Sequence, residues 1–321
     1  MAISKVVVIG NRDLSRSIVS ALVPEPTIER RPIYQVTVLT YPGQTPYLPS
    51  RIAQNVVEHR TSNFSSASLE QVFTGKDIVI STMAGGDYRI QVRIVDAAIA
   101  AGVRRFIPHE FGHDSLNKRI QERIPRSLQR ARVIGYLRSM SAEHESFEWT
   151  AVAVGCTLDS MLSTGNLGFD LQWQTATVYG TGIEKFAASS LKRASMVVAY
   201  LLEHWEAVNN RYLYAAGCIT SASHILQALE RVSGANWSVN LSNVDDCIKE
   251  GQSRIERGFP DSGMYLMECS VLYDTSLDAV GSFNFAAQNN TLQLEPEPVD
   301  AIVEQAYHAF KHHGRPSCGC R

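Results

Sequence analysis

Lys5-Val6-Val7-Val8-Ile9-Gly10-Asn11-Arg12-Asp13-Leu14-Ser15-Arg16 reads as a strand, a turn and the start of a helix. The valine and isoleucine run suits a strand buried on both faces, Gly10 permits a sharp reversal, and Leu14–Leu22 then repeats apolar residues at three- and four-residue steps. A strand buried in this way needs parallel neighbours, and parallel neighbours need covering crossovers. The same rhythm should therefore recur downstream.

It does. Gln35–Leu39, Val56–His59, Asp77–Ser81, Arg105–Pro108 and Trp149–Val154 are further β-branched runs, interleaved with helical patterns at Ser66–Phe73, Ile90–Ala101 and Ser127–Met140. The alternation predicts an α/β fold: a doubly wound parallel sheet of the Rossmann type. After Gly155 the pattern changes to Gly-rich turns (Gly165, Gly168, Gly180, Gly182), a helix near Ser195–Ala207 and a last helix around Val299–Lys311. The expected division is a dinucleotide-binding domain over 1–154 and a smaller C-terminal substrate-binding portion over 155–321. Elements of the second portion should join the first sheet, so that boundary is soft.

Composition narrows the function classes. The 321 residues are 45% hydrophobic and 19% charged, the balance of a globular protein rather than a disordered or fibrous one. With 30 Lys+Arg against 32 Asp+Glu the net charge is −2, so no basic excess favours nucleic acid or anionic lipid. No apolar run approaches the roughly 20 residues of a membrane span, and MAISKVVVIG reads as a first strand rather than a secretory leader. A cytoplasmic protein is expected. The six cysteines form no CxxC pair, which predicts reduced thiols and no metal site; the Cys318-Gly-Cys320 ending reads as a solvated tail.

In such a sheet ligands bind beyond the carboxyl ends of the strands, so the residues just after each strand are the candidates. Gly10, Arg12 and Leu14 follow the first strand, where a dinucleotide's pyrophosphate meets a glycine turn and a helix N-terminus. Only Gly10 of the usual three glycines is present, and the turn is either a working phosphate site or a structural one. Thr40 and Tyr41 end the second strand; no acid is there to hold the ribose hydroxyls of NAD, Tyr41 can stack on adenine or cap the core, and Arg51 can reach a 2′-phosphate or lie in solvent. Met83, Ala84 and Gly85, with Gly86 beyond them, follow the fourth strand and suit close approach of a sugar or nicotinamide. Pro108 and His109 follow the fifth, and Cys156 the sixth.

The segment Arg104–Asp114 (RRFIPHEFGHD), taken with Asp96–Gly102 (DAAIAAG), closely resembles the AAxxAGVKRFxPSEFGxD signature of isoflavone-reductase-like, NmrA-like proteins, atypical members of the short-chain dehydrogenase/reductase superfamily. Val36–Thr40, Asp77–Thr82, Gly165–Asp170, Thr175–Gly180 and Arg211–Ala215 are similar to the same family, so the resemblance spans nearly the whole chain. It implies a Rossmann-type NADP(H) domain, a smaller substrate domain, and a small, often aromatic, metabolite as substrate. Some relatives bind the dinucleotide as regulators instead.

Three departures from that pattern shape the functional expectation. The lysine that handles protons in the family's reductases falls, when anchored on Val133 and Leu137, on Arg130, which stays protonated and orients an anion better than it moves a proton. The signature serine is replaced by His109, a side chain that titrates near neutrality and can take over the proton. Asp114 either caps the next helix or acts on substrate, and His113 reads as a loop histidine. The glycine positions fall on Gly10, Asp13 and Arg16 counted from the strand, or on Ile9, Arg12 and Ser15 counted from the helix, so the turn is one residue short. The leading expectation is an NADP(H)-using oxidoreductase with His109, Arg130 and Asp114 as catalytic candidates, working where Met83–Gly86, Pro108–His109 and Gly155–Thr157 meet. The alternatives are an isomerase or cyclase without net redox, and a dinucleotide-sensing regulator. The oligomeric state is left open.

Overall fold

The computed structural model describes residues 3–23, 34–50, 52, 56–83, 87–285, 292 and 294–313. Along the chain run β1 (Lys5–Ile9), α1 (Asp13–Leu22), β2 (Gln35–Thr40), β3 (Glu58–Thr61), α2 (Ser66–Phe73), β4 (Ile78–Ser81), α3 (Tyr88–Ala100), β5 (Arg105–Ile107), α4 (Lys118–Arg123), α5 (Pro125–Glu143) and β6 (Glu148–Ala153). They are followed by β7 (Cys156–Thr157), α6 (Leu158–Thr164), β8 (Phe169–Asp170), β9 (Thr175–Tyr179), β10 (Phe186–Ser189), α7 (Leu191–Glu203), α8 (Trp205–Val208), β11 (Arg211–Tyr214) and β12 (Cys218–Thr220). The last elements are α9 (Ala222–Ser233), β13 (Ser238–Ser242), α10 (Val244–Glu256), α11 (Pro260–Tyr273), α12 (Gly281–Phe285) and α13 (Val299–His313).

The expected doubly wound sheet is present. Seven strands lie in the order β11-β6-β5-β4-β1-β2-β3, with β1 parallel to both β2 and β4. Val6, Val7, Val8 and Ile9 are almost wholly buried, as the uninterrupted apolar run requires of a central strand. Chain order reverses between β1 and β4, and the crevice beyond that pair of strand ends is the topological switch point where such sheets take ligands.

By contacts the chain forms two compact units: 1–111, 128–152 and 191–213 make the first, and 112–127, 153–190 and 214–321 the second. The two units interleave along the chain, where the sequence reading placed one soft boundary at 154/155. α7 returns to the first unit because it packs along α1, where the Ser17 hydroxyl donates to the Leu191 carbonyl at 3.0 Å and lies 3.1 Å from the Ser195 hydroxyl. β11 follows it onto the edge of β6, the seventh strand that the alternating pattern did not announce.

The second unit holds two three-stranded sheets, β12-β10-β7 and β13-β9-β8, around a core that includes Leu158, Phe169, Phe186, Ile225, Leu229, Tyr273 and Val303. Gly155 enters this unit at φ +76°, and a Cβ there would sit 2.4 Å from the Ala187 carbonyl oxygen. Both the backbone angle and the contact exclude a side chain. Gly155→Ala is expected to destabilise the fold by on the order of 2 kcal/mol, read as a lowered thermal midpoint and weaker amide protection in β7 and β10.

Candidate functional site

Gly10 occupies the switch point with φ +136°, and a Cβ on it would lie 2.1 Å from the Thr82 hydroxyl oxygen. Thr82 is fixed there because its amide and its hydroxyl both donate to the Ile9 carbonyl, at 2.9 and 2.8 Å. The strand ends of β1 and β4 thus close on each other with only a glycine able to fit between them. The turn then enters α1 by local means. The Ser15 hydroxyl accepts from the Arg12 amide at 2.8 Å and donates to the Arg12 carbonyl at 2.7 Å.

Helix geometry leaves first-turn amides without intrahelical acceptors. The Arg12 amide is taken by Ser15, so those of Asp13 and Leu14 are what the turn offers to an anion, beside the exposed guanidinium of Arg12. Asp13 puts a carboxylate in the same turn, which suits the helix dipole but opposes a bound phosphate. Asn11 holds a neighbouring segment instead. Its side-chain amide donates to the Thr45 carbonyl at 2.7 Å, and its side-chain oxygen accepts from the Tyr47 amide. Arg16 adds a hydrogen bond to the Tyr47 hydroxyl at 3.0 Å and stands over that ring at 4.7 Å. Residues 45–47 are thereby fastened to α1. The sequence reading missed Asn11, Ser15 and Tyr47; a hydroxyl three residues after the helix cap was a visible signal for Ser15, whereas the partners of Asn11 and Tyr47 lie more than thirty residues away.

At the end of β2 the candidate hydroxyl has partners of its own. Thr40 is buried, and its hydroxyl is engaged by its own loop and strand neighbour, lying 3.2 Å from the Tyr41 carbonyl, 3.4 Å from that of Gln44 and 2.9 Å from His59 Nε2. It helps to shape the turn. Tyr41 is 41% exposed and rests against Phe64 with ring centroids 4.4 Å apart, so one face is occupied by the protein. Met83 is partly buried, its carbonyl 3.5 Å from the Gln91 side-chain amide. Ala84, Gly85, Gly86 and Arg51 lie outside the described residues, as do Cys318 and Cys320.

Beyond β5, Pro108 is buried and its carbonyl accepts from the Glu110 amide at 3.0 Å. His109 is partly buried, yet its Nδ1 is sealed from water and makes no hydrogen bond. Burial, reinforced by the positive charge of Arg130, pulls its pKa down from 6.5 to about 3. The imidazole is therefore neutral at physiological pH, which removes the imidazolium acid from its possible roles and leaves a hydrogen-bonding one. Glu110 is buried and accepts from the Tyr212 hydroxyl at 3.1 Å.

Asp114 is likewise spoken for. Its carboxylate accepts from the Leu116 amide at 2.9 Å, the Ser282 hydroxyl at 2.8 Å and the Tyr214 hydroxyl at 3.3 Å, which takes three of roughly four acceptor directions. The cap of α4 is Asn117, which accepts from the Arg119 and Ile120 amides, so Asp114 is neither that cap nor an open acid. His113 lies 2.5 Å from the Ser127 hydroxyl. Asp114 thereby ties this loop to Tyr214 and Ser282.

The profile of the NmrA-like family matches residues 35–254. The chain is 31% identical over 256 residues to Oxidoreductase aprR of Aspergillus flavus, covering 79% of this chain and 82% of that protein. The chain belongs to the NmrA-like family. It is also 26% identical to Oxidoreductase poxI of Penicillium oxalicum over 250 residues, 76% of each chain. Two solved structures share the fold at low identity. A leucoanthocyanidin reductase–NADPH complex from Vitis vinifera has a TM-score of 0.70 at 14% identity, covering 95% of this chain and all of that one. AtPrR2, solved with NADP+ and (+)pinoresinol, has a TM-score of 0.66 at 18% identity over 95% and 99%.

Within this NmrA-like chain, Cys156 and the basic side chains of α4 and α5 have partners of their own. Cys156 packs in the core of the second unit, its thiol 3.1 Å from the Met161 sulfur, and burial pushes its pKa far above the usual thiol range. Its side chain packs within that core. The basic run on α4 and α5 serves local partners: Arg119 donates to the Ser276 carbonyl at 2.7 Å, Arg123 pairs with Asp274 at 2.6 Å, Arg126 with Asp261 at 2.8 Å, and Arg132 stands over Tyr88 at 4.4 Å. Among the described residues no cluster of three or more His, Cys, Asp or Glu can hold a metal ion, and no helix is long and apolar enough to cross a membrane.

The His109 environment has a measurable sign. Between about pH 3 and 6.5 the unfolded chain binds a proton at His109 that the folded chain does not, so this group makes stability fall as pH is lowered through that window and contributes no such loss above it. His109→Gln should flatten the stability profile there by up to about 1.4 kcal/mol per pH unit, one proton's worth. Denaturation midpoints of the two proteins across pH 4–7 check it; parallel profiles would mean that the folded imidazole titrates normally.

Proposed function

We propose that this chain is an NADP(H)-using oxidoreductase that acts on a small, aromatic or heterocyclic, specialised metabolite. The observation that supports it most is the β1–α1 turn: a bare Gly10 at the switch point, two first-turn amides, and an exposed Arg12 beside them. These residues fit a pyrophosphate, because Gly10 allows the tight turn that brings the helix end to the strand ends, and the helix end and guanidinium supply positive potential. The oxidoreductase names of the fungal relatives, and the NADP+, NADPH and pinoresinol named with the structural neighbours, point the same way.

When bound, the cofactor would supply or take up a hydride. The chain's own residues do the rest. Arg12 and the amides of Asp13 and Leu14 hold phosphate oxygens, while Thr82, committed to Ile9, keeps the strand ends closed beneath them. His109, neutral, hydrogen-bonds a substrate oxygen, and Arg130 holds negative charge that develops on it. Neither side chain passes a proton readily near neutrality, so in this reading the proton comes from solvent.

The loss of the family's lysine and of two turn glycines favours a second reading, in which the pocket isomerises or cyclises a reactive metabolite without net redox, with or without a bound dinucleotide. Calorimetric titration with NADPH, NADH and their oxidised forms separates the possibilities. NADPH is expected to bind more tightly than NADH, and Arg12→Ala to weaken it by about ten- to a hundred-fold, the range for a hydrogen bond to a charged group. Binding with cofactor consumption supports the oxidoreductase, binding with a transformed metabolite but unchanged cofactor supports the second reading, and no binding overturns both dinucleotide-dependent versions.

A further inference from the structure

β13 is the outer strand of the sheet β13-β9-β8. It runs Ser238-Val239-Asn240-Leu241-Ser242 and is exposed along almost its whole length. Edge strands in soluble proteins usually carry a lysine, a proline or a bulge that keeps other strands away, and this one has none.

The backbone shows which groups are free. The Ser238 amide donates to the Gln174 carbonyl at 3.0 Å and the Ser242 carbonyl accepts from the Gly180 amide at 2.9 Å. In a parallel pair the amide and carbonyl of one residue point to the same side, so Ser238, Asn240 and Ser242 bond to β9, and the backbone groups of Val239 and Leu241 point outward. Val239 and Leu241 stand in register with Ala176 and Val178, whose side chains belong to the core of the second unit. They share that apolar face, yet are 43% and 70% exposed. The core face of this sheet therefore runs on past its cover at β13.

The sequence of the strand is symmetric about its centre: serine, aliphatic, asparagine, aliphatic, serine. We propose that β13 pairs antiparallel with β13 of a second copy of this chain, with the two-fold axis passing beside Asn240. In that register Val239 lies opposite the partner's Leu241 and exchanges both backbone hydrogen bonds with it, and the reverse pair does the same, giving four hydrogen bonds. The two asparagines meet as the central pair without backbone bonds, and the aliphatic side chains form one continuous apolar stripe. The contact is isologous and closes at two chains. The ends of the strand agree. Trp173, 73% exposed, precedes the Gln174 that anchors Ser238, and Ile183, 68% exposed, follows the Gly180 that anchors Ser242. Antiparallel pairing brings the Trp173 end of one copy beside the Ile183 end of the other.

Light scattering on the full chain should give twice 35.5 kDa at micromolar concentration. Leu241→Lys should halve that mass while leaving the far-UV circular dichroism spectrum of the folded chain unchanged, and Val239→Glu combined with Leu241→Lys should restore the dimer at low salt, because the opposite charges then face each other across the axis. The register is tested separately by mild oxidation, with the unsubstituted chain under the same oxidant as reference. Asn240→Cys should cross-link to itself, whereas Ser238→Cys and Ser242→Cys should cross-link only when mixed. A monomeric wild-type chain, a dimer that survives Leu241→Lys, or cross-linking that ignores this pattern overturns the proposal.

Discussion

The geometry at the sheet's carboxyl edge depends on a missing atom, the Cβ of residue 10. With any side chain there, Thr82 would lose its place against Ile9, and β1 and β4 could not close so tightly at their ends. Three consequences follow from that one constraint. The chain can turn within Gly10–Arg12 and begin α1 at once, Ser15 can close the turn on Arg12, and Asn11 is left to gather the 45–47 segment. The shortening of the family's glycine turn is in this light a rebuilt turn rather than a lost one.

Electrostatics give the other end of the site its character. A lysine can be tuned toward neutrality by burial and then shuttle a proton, but an arginine cannot. Arg130 supplies a permanent charge, and that charge together with burial holds His109 neutral. The two replacements are physically linked: in the proposed site a fixed cation beside a sealed imidazole would stabilise negative charge and exchange protons poorly. The same logic disposes of the buried thiols, since Cys156 and Cys269 are pushed toward their protonated forms and act as packing groups.

Most of the first unit was legible because periodicity is a local property. β1, α1 and α2 fall within a residue of their expected bounds, and the order of the sheet follows from the alternation of strands and crossovers. What escaped depends on contacts between distant residues. Nothing local in Leu191–Leu213 says that it returns to pack on α1, and nothing near Asp114 says that Tyr214 and Ser282 will take its oxygens. The strand-end argument named Gly10, Arg12, Thr40 and Cys156 alike, but it could not show which side chains would find partners within the protein: Thr40, Asp114 and Cys156 do, through contacts that no spacing rule reveals.

The central claim is that this rebuilt turn cradles a dinucleotide. A crystal of the protein soaked in NADP+ tests it at the level of atoms. The account predicts pyrophosphate oxygens against the Asp13 and Leu14 amides and the Arg12 guanidinium, with Gly10 and Thr82 unmoved. Density for the nucleotide elsewhere on the chain, or an Arg12 side chain folded into the crevice with no nucleotide bound, would contradict it.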